Sequence, residues 1–298
     1  MNLLCFKVAD AYFRIDYKNE DDVRRLIPSY APFHLGDVSN EALMFNLSVG
    51  NGLVSETPEG EELGQFDSGD AKHGVYRLEN GGYLIYIKDY YGKLTCGLRC
   101  NADFSQCEAS LFGEENDWQF GLNNALMIAF AFSGAHHHIL LMHASVIMNE
   151  GYGYLFLGKS GTGKSTHSRL WLEHIEGSDL LNDDNPAVRF DAEKNTVTVY
   201  GTPWSGKTPC YRNLQVPVGA YLRLQQYPEN IIHKEPGVRA FASILSSCST
   251  MIWDKPSYDG ICNTVNRIAE RVPAFLLQCL PDKAAAELSY SHISHKFQ

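Results

Sequence analysis

The segment GKSGTGKST, residues 158–166, has the residue types and the spacing of a phosphate-binding loop. It matches the pattern G-x-x-x-x-G-K-[ST] in full, with an apolar segment before it and an amphipathic segment after it. In such a loop, glycines allow a tight backbone path, and the N–H groups that begin the next helix face the phosphates of a nucleotide. The predicted nucleotide-binding residues are Gly158, Ser160, Gly161, Thr162, Gly163, Lys164, Ser165 and Thr166.

Two side chains at the end of this pattern have separate predicted tasks. The Lys164 ammonium would reach the β- and γ-phosphate oxygens, and the Ser165 hydroxyl would ligate Mg²⁺. The loop therefore predicts a bound nucleotide and Mg²⁺, with Mn²⁺ as an alternative metal; ATP as the nucleotide is implied by the resemblance described below. The competing interpretation is a glycine-rich turn that holds no ligand.

Two adjacent carboxylates, Asp183 and Asp184, follow the loop after a helix and end a short predicted strand over residues 179–184. Adjacent residues on an extended strand point to opposite sides, so the two carboxylates have different predicted tasks. One would hold Mg²⁺, and the other would accept a proton from an attacking hydroxyl or position that hydroxyl. The competing interpretation is a solvated turn, because Asn185 and Pro186 come next.

A histidine precedes the loop in the sequence MHASV, residues 142–146. A predicted hairpin between strands 140–148 and 152–157 would place His143 beside the loop. The alternative is a histidine packed in the core. Ser145 shares a predicted strand face with His143, but the sequence around it is not a nucleophile elbow, so hydrolase chemistry is disfavoured.

The order of these motifs resembles the nucleotide core shared by HPr kinase/phosphorylase and ATP-type phosphoenolpyruvate carboxykinase. Both families have a histidine on the strand before the loop, a G-x-S-G-x-G-K-[ST] loop and a close Asp-Asp pair, and the resemblance covers residues 135–225. It implies that Lys164 binds phosphates, that Ser165 binds Mg²⁺ and that Asp183 is linked to the metal. It further implies that Asp184 is the acid/base that deprotonates a substrate hydroxyl, and that His143 is the active-site histidine.

Later segments extend the resemblance and also depart from it. Residues 201–206 and 219–224 look like the HPr-kinase-related proteins, and Lys207 and Arg212 near them are candidate phosphate contacts or ordinary surface charges. The metal-binding Glu of the HPr kinases has no counterpart around residues 197–201. The additional basic residues of the carboxykinases are not recognisable, which disfavours carboxykinase activity.

The resemblance implies an ATP-dependent phosphotransferase that moves the γ-phosphate to a serine-type hydroxyl. The acceptor would be a protein or a small molecule, and the sequence does not identify it. Two alternatives stay open: a non-catalytic or regulatory nucleotide-binding module, and a lyase similar to phosphoenolpyruvate carboxykinase.

The predicted elements give an α/β fold. Residues 116–298 would form a phosphoenolpyruvate carboxykinase-like P-loop nucleotide-binding domain with a mixed sheet, and residues 1–115 a β-rich N-terminal subdomain. Helices are predicted over 117–134, 241–253 and 258–271 from their apolar spacing. The acidic, glycine-containing segment 55–70 is predicted to be an exposed loop.

Composition limits the partners. The net charge is −10, from 25 basic and 35 acidic residues, and no basic run occurs, which disfavours a nucleic-acid partner. The apolar run 125–132 is too short to span a bilayer and is interpreted as a buried helix, so no membrane partner is expected. With no secretory signal at the start, a cytoplasmic location with eight reduced cysteines is predicted. An oligomer is compatible with all these features.

Overall fold

The computed structural model describes residues 2–17, 20–36, 42–68, 71–206 and 208–295, which form a mixed α/β fold with two mixed sheets. The chain divides into two compact units, each built around one of the sheets. Unit 1 comprises Met1–His137 and Met251–Ser257, and unit 2 comprises His138–Thr250 and Tyr258–Gln298. The subdomain boundary that we place between residues 115 and 116 stays a prediction.

Unit 1 contains an eight-stranded sheet in the order β1-β2-β3-β8-β7-β6-β5-β4. Its strands are Asn2–Val8 (β1), Ala11–Tyr17 (β2), Leu43–Val49 (β3), Glu61–Ser68 (β4), Ala71–Arg77 (β5), Tyr83–Lys88 (β6), Leu94–Cys100 (β7) and Gln106–Leu111 (β8). Its helices are Glu20–Leu26 (α1) and Glu115–Gly134 (α2), with 3₁₀ segments at Pro28–Phe33 and Ala135–His137. Helix α2 packs on the sheet against β3, β7 and β8, which confirms a helix at this position.

One sequence prediction in unit 1 is wrong. Within segment 55–70, predicted to be an exposed loop, Glu61–Ser68 forms β4, which pairs with β5 at the edge of the sheet. An edge strand has a neighbour on one side only and is often polar, so its composition resembles that of a loop. Residues 69 and 70 lie outside the described part of the chain.

The apolar run 125–132 is part of α2, where Leu126 and Phe130 are fully buried, as predicted. Over the described ranges of the chain, no helix combines the length and the apolar character needed to cross a membrane.

Unit 2 contains the second sheet, which runs β12-β10-β11-β15-β14-β13-β9, with β17 beside β15 and β16 beside β17. Its strands are Ile139–Leu141 (β9), Ala144–Asn149 (β10), Tyr152–Leu157 (β11), Asp179–Asp184 (β12), Ala187–Asp191 (β13), Thr196–Tyr200 (β14), Gln215–Gln226 (β15), Ile231–Glu235 (β16) and Ala274–Cys279 (β17). Its helices are Lys164–His174 (α3), Val238–Leu245 (α4), Lys255–Ala269 (α5) and Lys283–Ile293 (α6), and the first three residues of α5 belong to unit 1. Strand β11 is antiparallel to β10 and parallel to β15.

The single strand predicted over 140–148 is in fact two strands, β9 and β10, in different parts of the sheet. The chain leaves the ladder between them because the Met142 N–H donates to Pro186 O at 3.0 Å and the His143 N–H donates to Ser247 O at 2.7 Å. Both partners are distant in sequence, so the local alternation of apolar residues could not reveal the break. The break places His143 in a loop-like position rather than inside a strand.

The helix predicted over 241–253 ends early, because α4 stops at Leu245. Beyond it, the Ser246 hydroxyl donates to Ser243 O, and the Ser249 N–H donates to Leu141 O at 2.9 Å. Serine hydroxyls offer the backbone an alternative to helical hydrogen bonds, and the bridge between Met142 and Cys248 draws the chain towards the sheet. The apolar residues that suggested a longer helix therefore continue into a turn.

Candidate functional site

The loop over residues 158–166, which we call the glycine loop, joins β11 to α3. Gly158, Gly161 and Gly163 have φ angles of 155°, 78° and 110°, in the region that side chains rarely adopt. Gly163 is also the N-cap of α3, so the first N–H groups of that helix lack partners within the helix. The local path therefore depends on glycine at these positions, and it points a helix N-terminus at the loop.

Lys164 lies across the glycine loop and is buried, with 8% of its surface exposed. Its Nζ lies 2.7 Å from His143 Nε2, and it donates to Gly158 O at 3.0 Å and to Lys159 O at 3.3 Å. Burial lowers its pKa from the ordinary value, and the nearby carboxylates Asp184 and Asp183 act in the opposite direction. The ammonium is thus fixed at the start of the loop by backbone carbonyls and one imidazole.

His143 connects this ammonium to a carboxylate, since its Nδ1 lies 3.0 Å from Asp184 Oδ1. An ammonium can only donate hydrogen bonds, so His143 Nε2 accepts from Lys164 and the imidazole proton of His143 is on Nδ1. The Nδ1–H then donates to Asp184. We call this arrangement the Lys–His–Asp row (Lys164, His143 and Asp184).

The second carboxylate of the pair has a different partner. The Ser165 hydroxyl donates to Asp183 Oδ1 at 3.0 Å, and Asp183 has 5% of its surface exposed. Both aspartates end β12 and are paired with β10, Asp183 opposite Ser145 and Asp184 opposite Ala144. The first turn of α3 and the end of β12 therefore bring a hydroxyl and a carboxylate together beside the glycine loop.

Asp184 has a φ angle of 147°, which is unusual for a residue with a side chain. Its Oδ2 accepts from Asn185 Nδ2 at 2.8 Å, and its backbone forms a bridge with Ser205. Gly206 lies against the same pair: a Cβ built there would be 2.9 Å from Asp183 O and 3.2 Å from Asp184 Cβ. We did not assign Gly206 a role from the sequence, although it ends the segment GTPWSG that extends the resemblance.

Of the two candidate phosphate contacts, the structure describes Arg212, which lies away from the glycine loop. Arg212 pairs with Asp179 Oδ2 at 2.6 Å and donates to Leu180 O at 2.6 Å, at the opposite end of β12 from Asp184. Lys207 lies outside the described residues.

A cavity of about 610 Å³ opens beside the glycine loop. Its lining residues are Gly158, Lys159, Ser160, Gly161, Thr162, Arg223, Leu224, Gln225, Gln226 and Leu276. Gln226 Nε2 lies 3.4 Å from Gly161 O and 3.5 Å from Thr162 O, so the end of β15 supports the loop. Sequence reasoning missed Arg223 and Gln226; the one local signal was a polar residue inside the apolar strand sequence YLRLQQ.

All eight cysteines are free thiols, and Cys96, Cys100 and Cys107 are buried in unit 1. Within the part of the chain that the structure describes, no group of three or more His, Cys, Asp or Glu side chains is arranged to hold a metal ion.

No protein-family model and no curated protein matches this sequence. Among solved structures, the chain is similar to the HPr(Ser) kinase/phosphatase from Coxiella burnetii. The identity is 16% and the TM-score is 0.30, over 51% of this chain and 95% of that chain. The similarity is distant, and we therefore argue function from the side chains of this chain.

Proposed function

We propose that this chain is an ATP-dependent phosphotransferase that moves the γ-phosphate to a serine-type hydroxyl of a protein or small molecule. The observation that carries the proposal is the Lys–His–Asp row, which links a buried ammonium at the glycine loop to a half-exposed carboxylate. A cation for phosphate oxygens and a base for a hydroxyl are the two groups that this reaction needs close together.

The glycine loop fits the phosphates of a nucleotide. Its backbone turns through three glycines with positive φ into the N-terminus of an eleven-residue helix, where N–H groups and the helix dipole favour an anion. Lys164 is already held at this loop by Gly158 O and Lys159 O. Phosphate oxygens would replace these two carbonyl oxygens as hydrogen-bond acceptors of Lys164, and the buried ammonium would then have a negatively charged partner.

Ser165 and Asp183 fit Mg²⁺, since a hydroxyl and a buried carboxylate 3.0 Å apart are the oxygen ligands that this ion prefers. When bound, Mg²⁺ supplies positive charge that neutralises the phosphate oxygens. Two protein ligands suffice for an ion that usually keeps several waters and is completed by substrate phosphates.

Asp184 is the proposed base. Its Oδ1 accepts from His143 and its Oδ2 from Asn185, which leaves a further lone pair on each oxygen, and the side chain is 35% exposed, so an incoming hydroxyl has access to the carboxylate. Asp184 would take the proton as the acceptor oxygen bonds to the γ-phosphorus and the bond from phosphorus to the leaving ADP oxygen breaks. His143 would orient the carboxylate, because its own orientation is fixed by Lys164.

The test is transfer of labelled γ-phosphate from ATP in an extract of the source cells, with binding of ATP measured separately by calorimetry. We expect Lys164→Ala to lose both binding and transfer. We expect Asp184→Asn to bind ATP normally and to lose about 10²- to 10⁴-fold in transfer rate, the range for removal of a general base.

Two results would count against the proposal. If the wild-type chain binds no ATP with either Mg²⁺ or Mn²⁺, the glycine loop is a turn without a ligand. If it binds ATP but transfers no phosphate to any component of the extract, the nucleotide-binding module is the better description.

A further inference from the structure

Arg223 is an arginine in the middle of β15, one strand away from the start of the glycine loop. In the parallel pairing of β11 and β15 it lies opposite Leu157, the residue immediately before Gly158. Its side chain is half-buried and lines the cavity beside the loop. A cation at this position lies at the edge of the proposed phosphate site.

The guanidinium is held by neutral groups from residues 243–247, which we call the serine turn. Its Nε donates to Ser243 Oγ at 2.7 Å, and its Nη2 donates to Ser243 O, to Ser246 Oγ at 2.8 Å and to Ser247 Oγ at 3.1 Å. Among the residues that the structure describes, Arg223 forms no ion pair, and its Nη1 has no hydrogen-bond partner. The serine turn thus fixes the orientation of the planar guanidinium without neutralising its charge.

A half-buried guanidinium without a paired carboxylate is partly desolvated at a cost in free energy. Burial lowers the pKa of Arg223 from its ordinary value, and the charge of Glu235, which forms no ion pair with it among the described residues, acts in the opposite direction. A half-buried guanidinium that neutral groups orient and that lines a cavity beside the glycine loop is well placed to bind an anion there.

The serine turn also reaches the Lys–His–Asp row. Ser247 accepts from the His143 N–H through its carbonyl at 2.7 Å, and from Arg223 through its hydroxyl. One residue therefore holds the guanidinium and the histidine that contacts Lys164.

We propose that Arg223 binds the terminal phosphate of the nucleotide, so that the chain distinguishes a nucleoside triphosphate from a diphosphate. This inference rests on the proposed function. The amides of the glycine loop suit the α- and β-phosphates, whereas Lys164 reaches as far as the γ-phosphate. Arg223 is linked to Lys164 through Ser247 and His143, which places it with the γ-phosphate end of the site. An anion shared by both cations would relieve their repulsion.

The test compares a non-hydrolysable ATP analogue with ADP by calorimetry in the presence of Mg²⁺. We expect Arg223→Gln to weaken binding of the analogue by about 10- to 100-fold, the range for loss of a charged hydrogen bond, and to change ADP binding by less than about twofold. Arg267→Gln is the matched control, because Arg267 is an exposed arginine of α5, and we expect it to change neither affinity.

A merely structural role for Arg223 predicts equal loss for the two ligands, because a distorted loop binds both less well. If Arg223→Gln weakens binding of the ATP analogue and of ADP equally, or weakens neither, the inference is overturned. The nucleotide binding that we propose for the wild-type chain is not contradicted by either result. If the wild-type chain binds neither ligand, the proposed function and this inference fail together.

Arg223→Lys keeps the inference testable if Arg223→Gln does not fold, which thermal unfolding will show. Lysine keeps the charge but not the planar fork that the serine turn orients. We expect a smaller loss, about threefold to tenfold, confined again to the ATP analogue. An equal change for ADP would overturn the inference here as well.

Discussion

Asp184 is constrained in both its backbone conformation and its side-chain hydrogen bonds. It adopts a φ of 147°, accepts hydrogen bonds at both carboxylate oxygens, and ends β12. A non-glycine residue in such a conformation costs about 1–3 kcal/mol and persists only where its surroundings enforce it. Gly206 is part of this enforcement, since it leaves room for the Asp pair and donates its N–H to Asp183 O at 2.5 Å.

We predict that Gly206→Ala lowers phosphoryl transfer by about 10- to 100-fold, because displacement of reacting groups by an ångström or less has effects of this size. The new Cβ would begin 2.9 Å from Asp183 O, which is too close for a carbon and must move the Asp pair. The measurement is the rate of labelled phosphate transfer, together with thermal unfolding.

Gly50→Ala is the control for this prediction. A Cβ there would be 3.3 Å from the flexible end of Leu53, in unit 1, and should leave the transfer rate unchanged. Equal transfer rates in the Gly206 and Gly50 variants would show that Gly206 does not position the carboxylates.

Residues that lie near the glycine loop in sequence were accessible to prediction, and the others were not. His143, Lys164 and Asp184 lie between the end of β9 and the end of β12, and the predicted hairpin of β10 and β11 indicated that His143 lies beside the glycine loop. The position of Arg223 at the site depends on which face of β15 its side chain occupies and on the serine turn, which replaces the end of a predicted helix. Neither is encoded in the spacing around Arg223.

At the scale of elements, α3 is positioned by a buried contact with α6. Ser289 of α6 donates to Ala286 O at 2.9 Å, so its oxygen is free to accept from both Trp171 Nε1 at 2.9 Å and His167 Nε2 at 3.1 Å. Burial lowers the pKa of His167 to about 4, which keeps the ring neutral. Because Ser289 donates its only hydroxyl proton to Ala286 O, the ring proton of His167 is assigned to Nε2. This single hydroxyl thus joins the helix that begins at the glycine loop to the C-terminal helix.

We predict that Ser289→Ala destabilises the chain by about 2–3 kcal/mol, because two buried N–H donors lose their acceptor at once. Ser291→Ala is the matched change, since its exposed hydroxyl donates to Leu288 O on the same helix and should cost less than about 0.5 kcal/mol. Urea unfolding of the two variants measures the difference. Similar midpoints would show that the Ser289 contact does not hold α3.

The elements themselves were predicted best where both of their ends depend on local sequence. The strand predictions 152–157 and 179–184 match β11 and β12, each of which is flanked by turn residues. The break between β9 and β10 and the early end of α4 are two sides of one contact, since Met142 pairs with Cys248. A pairing across such a distance in sequence overrides local propensity on both partners.

At the scale of the whole chain, unit 1 is completed by a short segment from far along the sequence, Met251–Ser257. Within it, Asp254 accepts from Tyr83 OH at 2.6 Å and from Ser257 Oγ at 2.5 Å, while Arg77 Nη2 donates to the Tyr83 oxygen at 2.8 Å. The sequence offers no signal for this contact, because Tyr83 and Asp254 are far apart in the chain and each reads as an ordinary strand or turn residue.

This network gives a prediction for stability against pH. Burial raises the pKa of Asp254, but hydrogen bonds from Ser257 and Tyr83 outweigh it and hold the pKa below the ordinary value. The folded state therefore binds a proton less readily than the unfolded state, so Asp254 stabilises the fold above the unfolded pKa of about 4 and this contribution is lost as the pH falls.

Tyr83→Phe removes one donor to Asp254, and we expect it to lower the free energy of unfolding at pH 7 by about 1–2 kcal/mol. The gap between this variant and the wild type should narrow towards pH 3, because protonation of Asp254 weakens the interaction in the wild type. Urea unfolding between pH 3 and 7 measures both effects, with Tyr91→Phe as the control, since Tyr91 is 95% exposed. A gap that stays constant with pH would mean that the Tyr83 hydroxyl stabilises unit 1 through Arg77 and not through the charge of Asp254.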